Sequence, residues 1–518
     1  MYYFINTTVT MQQSGVGHAQ MKRFDLFKKH GMPVKILTTN FDRSVVPALR
    51  HAGVDNKHAI NMFDFFGGTE NVESKDFGIK DLGLPDNFDV QKTDNGHYDV
   101  YRDKQRLMQI SMRTDNSNNI DAVTYYDSLK RVIEVDWWDP RGYRSLQQLY
   151  DRQGKVRAER VFNDKGCMFY ETFHFGKQYD AIDNSLYRIQ GFNGNDWEFD
   201  GFKNMVRFFL DELVKRDHEH GVNDIFVSDA SLELSWPILQ MHERAFKTMQ
   251  LHSNHTNDPV ETQHSGLNYN YEYALNNFTK WQGMIAPTAT QAHNVERCFG
   301  DKPRTYVIPV GVVPDELMRK PKQDFSKREK GKIVMIARLS HEKRIDHAIK
   351  AVAQVVKKVP GVTLDIYGYA NDKSGDNAKK LVNDLNLKKV VSFKGYTQNI
   401  SAVYDNAQLS ILTSTAEGLP LSLIEAQSHG VPLVSYDINY GPRDIINDGK
   451  DGLLVKPGDI DAMAEAIIKL MSNDQLREQF SDQAYESRHK YSEDNVWKQW
   501  LIMDTDAQKY FETVKEGQ

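Results

Sequence analysis

The chain has 518 residues, more than one hydrophobic core usually organises, so two or more domains are expected. Apolar residues make up 40% and charged residues 26%, with 33 Gly and 16 Pro, a balance that excludes fibrous, low-complexity and disordered classes. A net charge of −6 gives no general reason to bind nucleic acid, and the two cysteines, Cys167 and Cys298, can build neither a disulfide framework nor a four-thiolate metal site, which points to a reducing compartment.

The first residues carry no basic leader with an apolar core, and no apolar run approaches the ~20 residues that span a bilayer. The expected location is the cytoplasm, with any membrane contact peripheral. Residues 2–9 read as a buried strand, Gln13 to Gly17 as a turn, His18 to Lys29 as a helix with apolar positions at Ala19, Met21, Phe24 and Phe27, and Val34 to Thr38 as the next strand. Strand, glycine turn, helix and strand form a βαβ opening, the start of a doubly wound sheet.

From about 85 to 190 the pattern becomes period-2 alternation. Tyr126-Asp127, Trp138-Asp139, Tyr150-Asp151 and Phe162-Asn163 recur at a spacing of 12, and Gly142, Gly154 and Gly166 each lie three residues after the Asp or Asn. This spacing predicts a meander of short antiparallel hairpins, with an aromatic ending one strand and an Asp/Asn-x-x-Gly turn starting the next. Its aromatics read either as core and cross-strand packing or as an exposed face for a partner or a long acceptor.

Strand and helix signals resume near 200, with strands expected at Asp224 to Val227, Lys247 to Leu251, Gly283 to Ala286 and Thr305 to Pro309. A polar stretch from Pro314 to Lys332 follows without helical periodicity. A second series then begins at Ile333 to Ile336, Leu364 to Tyr367, Val390 to Phe393, Leu409 to Leu412, Leu433 to Ser435 and Leu453 to Val455. The fold class is therefore α/β: two facing Rossmann-like domains with a β-rich meander inserted in the first. The boundaries are 1–84 and 191–315 for an N-terminal domain, 85–190 for the insertion, 316–330 for a linker, 331–470 for a second α/β domain and 471–518 for a helical segment bracing the N-terminal domain.

Two constellations carry chemistry. In Ser414 to Ala426, Glu417 falls in the loop at a strand's end and Glu425 within an apolar helical run, where a buried carboxylate needs a ligand hydroxyl or a basic side chain, unless it lies on a solvated stripe. In Ala337 to Arg344, Arg338 and Lys343 follow directly after a strand; they read either as cations for a phosphate leaving group or as a solvated basic turn, and because both sit in a polar turn their removal is expected to change the melting temperature little.

Together these residues resemble the retaining glycosyltransferases of family 4, whose architecture is of the GT-B type. Arg338 and Lys343 match the family's diphosphate-binding pair, Glu417 and Glu425 its E-x(7)-E motif, and Asp365 to Gly368, Phe393 to Tyr396, Gly430 to Pro432 and Gly449 to Leu453 its supporting motifs. The insertion and the opening Ser14-Gly15-Val16-Gly17-His18 resemble a Gram-positive subgroup containing accessory-Sec protein O-glycosyltransferase catalytic subunits (GtfA type) and teichoic-acid α-glycosyltransferases. At Gly17 the adhesin-modifying enzymes more usually carry Glu, and Tyr440 to Asp444 resembles the teichoic-acid branch.

The resemblance implies a UDP-sugar hexosyltransferase. It assigns catalytic charge relief and donor contact to Arg338, Lys343 and Glu417. Donor binding goes to Ser14, Gly15, Val16, Gly17 and His18, to Gly418, Leu419 and Pro420, to Tyr396 and Thr397 at the uracil, to Glu425 at the ribose, and to His252 or His255 at the sugar. His252-x-x-His255 also reads as a metal half-site, but no second ligand pair accompanies it, so neither a metal nor a cofactor is expected. Asp459-Ile460-Asp461 reads as a helix N-cap. The leading expectation is transfer of GlcNAc or glucose to Ser/Thr of a serine-rich surface protein before export, with a homologous non-catalytic partner. Alternatives are poly(glycerol/ribitol phosphate) wall teichoic acid as acceptor, and a non-catalytic binding subunit of the same fold, which the intact Arg338, Lys343, Glu417 and Glu425 oppose.

Overall fold

A computed structural model describes residues 1–115, 117–174, 185–370 and 372–516. Contacts divide the chain into two compact units. The first comprises Met1–Gln13, Pro33–Phe226 and Glu233–Ala245; the second comprises Ser14–Met32, Val227–Leu232 and Phe246–Gln518.

In the first unit, Tyr2–Asn6, Val34–Thr38 and Ala59–Asn61 pair in parallel, with Tyr2 opposite Val34 and Ile36 opposite Ala59. Their residues are almost all buried, as expected for parallel strands covered on both faces. The insertion is a ten-stranded antiparallel meander from Asp89–Lys92 to Asn195–Phe199 in which every strand pairs with its chain neighbours. It runs on past residue 190 because a last hairpin turns at Asn193 and Gly194, both with positive φ. Part of the range read from alternation, residues 175–184, lies outside the described residues.

The 12-residue repeat is the turn chemistry itself. Asp127, Asp139, Asp151 and Asn163 each donate their backbone N–H across the turn, to Arg131, Tyr143, Lys155 and Cys167. Asp127 and Asp151 use Oδ1, as does Asn163, to accept backbone N–H groups two and four residues on, an Asx-type turn. Lys130 takes the left-handed position (φ 62) that Gly142, Gly154 and Gly166 fill in the later turns.

Of the four aromatics of this repeat none is fully exposed, and Tyr126 and Tyr150 are half-buried. Trp138 and Phe162 are buried, and among the described residues of this region the exposed large apolar side chains are Val90, Leu129 and Ile133 rather than aromatics. Arginines lie over rings instead: Arg106 over Tyr126 at 4.5 Å and Arg144 over Phe162 at 4.1 Å. One row across the strands, Asp136, Gln147, Arg160, Glu171, Arg188 and Glu198, stands in register as a polar ladder. The turn at Gly142 is the docked one. A Cβ there would lie 2.0 Å from the Lys75 carbonyl oxygen. Beside it the buried Arg141 donates to Asp139, Asp64, the Thr69 carbonyl and Tyr143, each at 2.8 Å.

The second unit contains a six-stranded parallel sheet. Its strands in chain order are Lys332–Ile336, Thr363–Tyr367, Val391–Gly395, Leu409–Leu412, Leu433–Tyr436 and Gly452–Val455, and they are arranged third, second, first, fourth, fifth, sixth. That is the doubly wound order with its switch point between the first and fourth strands. The helix Ile345–Lys358 buries Ile345, Ala348, Ile349, Val352 and Val355, an i, i+3, i+4, i+7 stripe. Asp459 caps the helix Ile460–Met471, its side chain accepting from Ala462 N–H at 2.9 Å.

The polar stretch after Pro314 is firmly packed within this unit. It forms the short helix Asp315–Arg319 and ends at Arg328, which is buried and donates to the carbonyls of Tyr404, Ala407, His429 and Gly430. These carbonyls end two helices, Ile400–Asn406 and Leu421–Ser428, so one cation satisfies the acceptors that helix ends leave open. Apolar periodicity carries no sign of such an anchor. The terminal helix Glu493–Glu516 sets Trp497 and Trp500 edge-on to Phe27, each at 5.1 Å, and Tyr510 against Phe246 at 5.6 Å. No described helix is long and apolar enough to cross a membrane.

Candidate functional site

Ligands of open parallel sheets bind beyond the carboxyl ends of the strands at the switch point, and here both sequence constellations converge on it. After the first strand the chain turns through His341–Lys343; after the fourth it runs through Ser414 to Pro420 into the helix Leu421–Ser428. The loops are tied together: Thr415 N–H donates to the Glu342 carbonyl at 2.8 Å, and Thr413 Oγ1 to the carbonyls of Lys343 and Arg344 at 2.9 Å each.

Lys343 Nζ donates to Glu417 Oε1 at 2.7 Å, and the two side chains are only 15% and 13% exposed. Arg338 is different: its side chain is 48% exposed and meets Glu342 at 3.3 Å. The reading of a solvated basic turn therefore holds geometrically for Arg338 and fails for Lys343, whose ammonium is held against a carboxylate with little water access.

Glu425 lies on the helix among buried Leu423, Ile424 and Ala426, and its Oε1 accepts from Lys22 Nζ at 2.8 Å. Of the alternatives the spacing left open, the basic partner is present. Lys22 belongs to the helix Gly15–Lys29, which begins at Gly15 and not at His18 as periodicity suggests. Ser14 is its N-cap, with Oγ accepting from Gly17 N–H at 3.3 Å, so Gly15, Val16, Gly17 and His18 form the first helical turn; the cap overrides the poor helix propensity of the glycines. A Cβ on Gly15 would meet nothing within 4 Å. One turn before Lys22, His18 Nε2 lies 3.4 Å from Tyr396 OH, so His18, Lys22, Tyr396 and Glu425 gather at one place. Thr397 follows Tyr396, its Oγ1 accepting from Asn399 N–H at 3.2 Å.

Gly418 is required by close approach: a Cβ there would lie 2.6 Å from the His252 carbonyl oxygen. The next two residues, Leu419 and Pro420, are buried, Leu419 in the apolar cluster that also holds Leu423 and Ile424. The loop bearing Glu417 thus abuts the loop after the strand Phe246–Gln250.

The two histidines of that loop separate. His252 is partly accessible, its Nε2 2.8 Å from Asp229 Oδ1. His255 is fully buried, stacks on Tyr440 with ring centroids 6.0 Å apart, and has no hydrogen-bond partner on either ring nitrogen. Of the two, His252 is the one with solvent access and a hydrogen-bonded ring. Periodicity also misses Gln20 and Arg23, polar residues buried in the helix Gly15–Lys29 that both reach Asp229. Their position among the buried apolar residues Ala19, Phe24 and Phe27 was the available signal. Among the described residues no group of three or more His, Cys, Asp or Glu is arranged to hold a metal.

Burial of His255 pushes its pKa down from 6.5 to about 4. The unfolded chain binds that proton more readily, so the contribution of His255 to stability is intact above pH 6.5 and is lost as pH falls toward 4, about 2 kcal/mol of it between pH 7 and pH 5. The wild-type melting temperature should accordingly fall more between these pH values than that of His255→Phe. Parallel declines would show that His255 gains a partner or water on folding.

The family model of glycosyl transferases group 1 matches residues 318–487. The chain is 30% identical over 513 residues to a poly(ribitol-phosphate) alpha-N-acetylglucosaminyltransferase of Staphylococcus aureus, covering 95% of this chain and 97% of that one. It is 25% identical over 523 residues to a poly(glycerol-phosphate) alpha-glucosyltransferase of Bacillus subtilis, covering 97% and 74%. It is 24% identical over 521 residues to the GtfA subunit of a UDP-N-acetylglucosamine–peptide N-acetylglucosaminyltransferase of Streptococcus gordonii, covering 96% and 97%. In architecture it matches the crystal structure of the pneumococcal O-GlcNAc transferase GtfA in complex with UDP and GlcNAc, with a TM-score of 0.84 at 20% identity over 98% and 99% of the two chains. The GtfA/B complex matches with a TM-score of 0.78 at 21% identity over 98% and 99%. The fold is thus GT-B, with Rossmann-like parallel sheets and an antiparallel sheet inserted in the N-terminal region. With a full-length relative at 30% identity and the group 1 model lying over the segments that carry Arg338, Lys343, Glu417 and Glu425, the chain belongs to the group 1 glycosyltransferases.

Proposed function

We propose that this glycosyltransferase is a retaining, family 4 enzyme that moves GlcNAc or glucose from a UDP-sugar to a cell-surface polymer or its precursor. The observation that carries the reading is the Lys343–Glu417 pair, with Arg338 beside it, at the carboxyl ends of the first and fourth strands. Glycosyl transfer from a nucleotide needs the departing diphosphate's charge met, a cationic sugar centre stabilised and an acceptor hydroxyl oriented. Arg338 and Lys343 meet the diphosphate without a metal or cofactor, aided by the first-turn N–H groups after Ser14. Glu417, Gly418 and Leu419 face the sugar together with His252, Glu425 holds the ribose, and Tyr396 and Thr397 border the base.

For the acceptor we favour poly(ribitol phosphate) or poly(glycerol phosphate), because a relative matched over nearly its whole length at 30% identity and one matched over 74% of its length at 25% identity carry those names. Gly17 and Tyr440 to Asp444 support the same branch. The second reading is Ser/Thr of a serine-rich protein before export, in company with a homologous non-catalytic subunit. It is supported by the full-length relative named as a peptide N-acetylglucosaminyltransferase subunit and by the inserted sheet, which would dock that partner or a long acceptor. Either reaction places the enzyme in the cytoplasm, at most peripheral to the inner membrane face.

Pure enzyme incubated with radiolabelled UDP-glucose or UDP-GlcNAc, with teichoic acid and with a Ser/Thr-rich protein in separate reactions, decides between them. Label in the polyol phosphate alone is expected; label in the protein alone would establish the second reading instead.

A further inference from the structure

Asp229 is a buried charge beside the site to which the proposed chemistry gives no role. It directly follows the strand Ile225–Ser228, and its side chain is fully shielded from solvent. Withdrawing a carboxylate from water is costly unless donors replace the water, and here they come from two elements. Oδ2 accepts from Gln20 Nε2 at 3.0 Å and from Arg23, both on the helix Gly15–Lys29; Oδ1 is 2.8 Å from His252 Nε2. Arg23 is itself buried, with Trp500 of the terminal helix 5.7 Å from its guanidinium. Burial alone would raise the Asp229 pKa, but Arg23 and His252 outweigh it and hold the carboxyl below its usual range.

We propose that Asp229, clamped by Arg23 and Gln20, is a positioning residue that fixes the tautomer and orientation of His252, so that Nδ1 is the ring nitrogen left to meet the donor sugar. An ionised carboxylate can only accept, so the proton of the shared hydrogen bond sits on His252 Nε2. The backbone fixes the other end of the residue: the N–H groups of His252 and Ser253 donate to the Tyr271 hydroxyl at 2.9 and 3.1 Å, and the His252 carbonyl abuts Gly418. Ring and backbone are thus both held before any ligand arrives, which is how a group that must meet a transition state avoids reorganisation. This inference rests on the reading that His252 contacts the donor sugar.

Asp229→Asn separates positioning from mere packing. Gln20 and Arg23 both donate toward Oδ2, so the amide must keep its oxygen there and turn its NH2 toward His252 Nε2, which can then pair only by giving up its proton. Nitrogen-15 spectra of histidine-labelled protein, with the His252 signals assigned by their loss in His252→Ala, should show the Nε2–H tautomer in the wild type and the Nδ1–H tautomer in Asp229→Asn. Turnover in Asp229→Asn should fall about 10 to 10²-fold with UDP affinity within about twofold of wild type, and Asp229→Asn combined with His252→Ala should be no slower than His252→Ala alone. Unchanged tautomer and turnover in Asp229→Asn would overturn the proposal, as would a double variant slower by the product of the single effects. If the Asn variant does not fold, the wild-type spectrum alone decides: a neutral His252 protonated on Nδ1 overturns it. A fully active His252→Ala instead contradicts the sugar-contact reading, and the tautomer shift still reports on Asp229 by itself.

Discussion

Replacing Lys343 by Ala is expected to lower turnover by ~10²-fold or more, and Arg338→Ala to do the same, because each removes a fixed positive charge from the place where the departing diphosphate develops its own. The two variants should part company in stability. Arg338 is 48% exposed and its contact with Glu342 is a surface pair, worth no more than ~0.5 kcal/mol here. Lys343 is 15% exposed against a Glu417 that is 13% exposed, so its loss strands a carboxylate with little water and should cost roughly 1–3 kcal/mol. Steady-state rates with thermal melts check both halves. Near-normal transfer by both variants would show that the cations serve structure or surface alone.

The second large effect is expected at Glu425. Lys22 occupies only Oε1, which leaves Oε2 to accept ribose hydroxyls. Glu425→Ala should weaken UDP binding by about 1.5–3 kcal/mol, ~10 to 10²-fold, with little loss of stability because the ion pair is about one-quarter exposed on each side. Lys22→Ala should change UDP affinity far less. A calorimetric titration in which Glu425→Ala binds UDP as tightly as wild type would make the Lys22 contact the whole purpose of the carboxylate.

Several features of the molecule are written plainly in its residues, for physical reasons. The six strands of the second sheet are short apolar runs separated by amphipathic helices, a pattern that burial on both faces imposes. The hairpins of the insertion show because Asp or Asn accepting backbone N–H groups, with Gly three residues on, is a local turn rule that needs no tertiary contact. The strand-end placement of Arg338, Lys343 and Glu417 follows from the strands themselves.

Other features are invisible because they depend on partners distant in sequence. Asp229 meets Gln20 and Arg23 across more than 200 positions, and Lys22 meets Glu425 across 403. Nothing local to Arg328 foretells that it closes two helix ends. The helix start at Gly15 was masked by glycine's low propensity, which a single serine cap overcame. The split between a buried His255 and a tethered His252 rests on Tyr440 and Asp229, neither of which the His-x-x-His spacing contains.

The central claim is that the nucleotide-sugar binds where the loops after the first and fourth strands of the second unit's sheet meet. Hydrogen–deuterium exchange of the full chain with and without saturating UDP tests it most directly. Backbone protection should appear in residues 337–344, 396–397 and 415–426 and spare the inserted sheet between Asp89 and Phe199. Protection confined to that inserted sheet, with no change in either loop, would contradict the account.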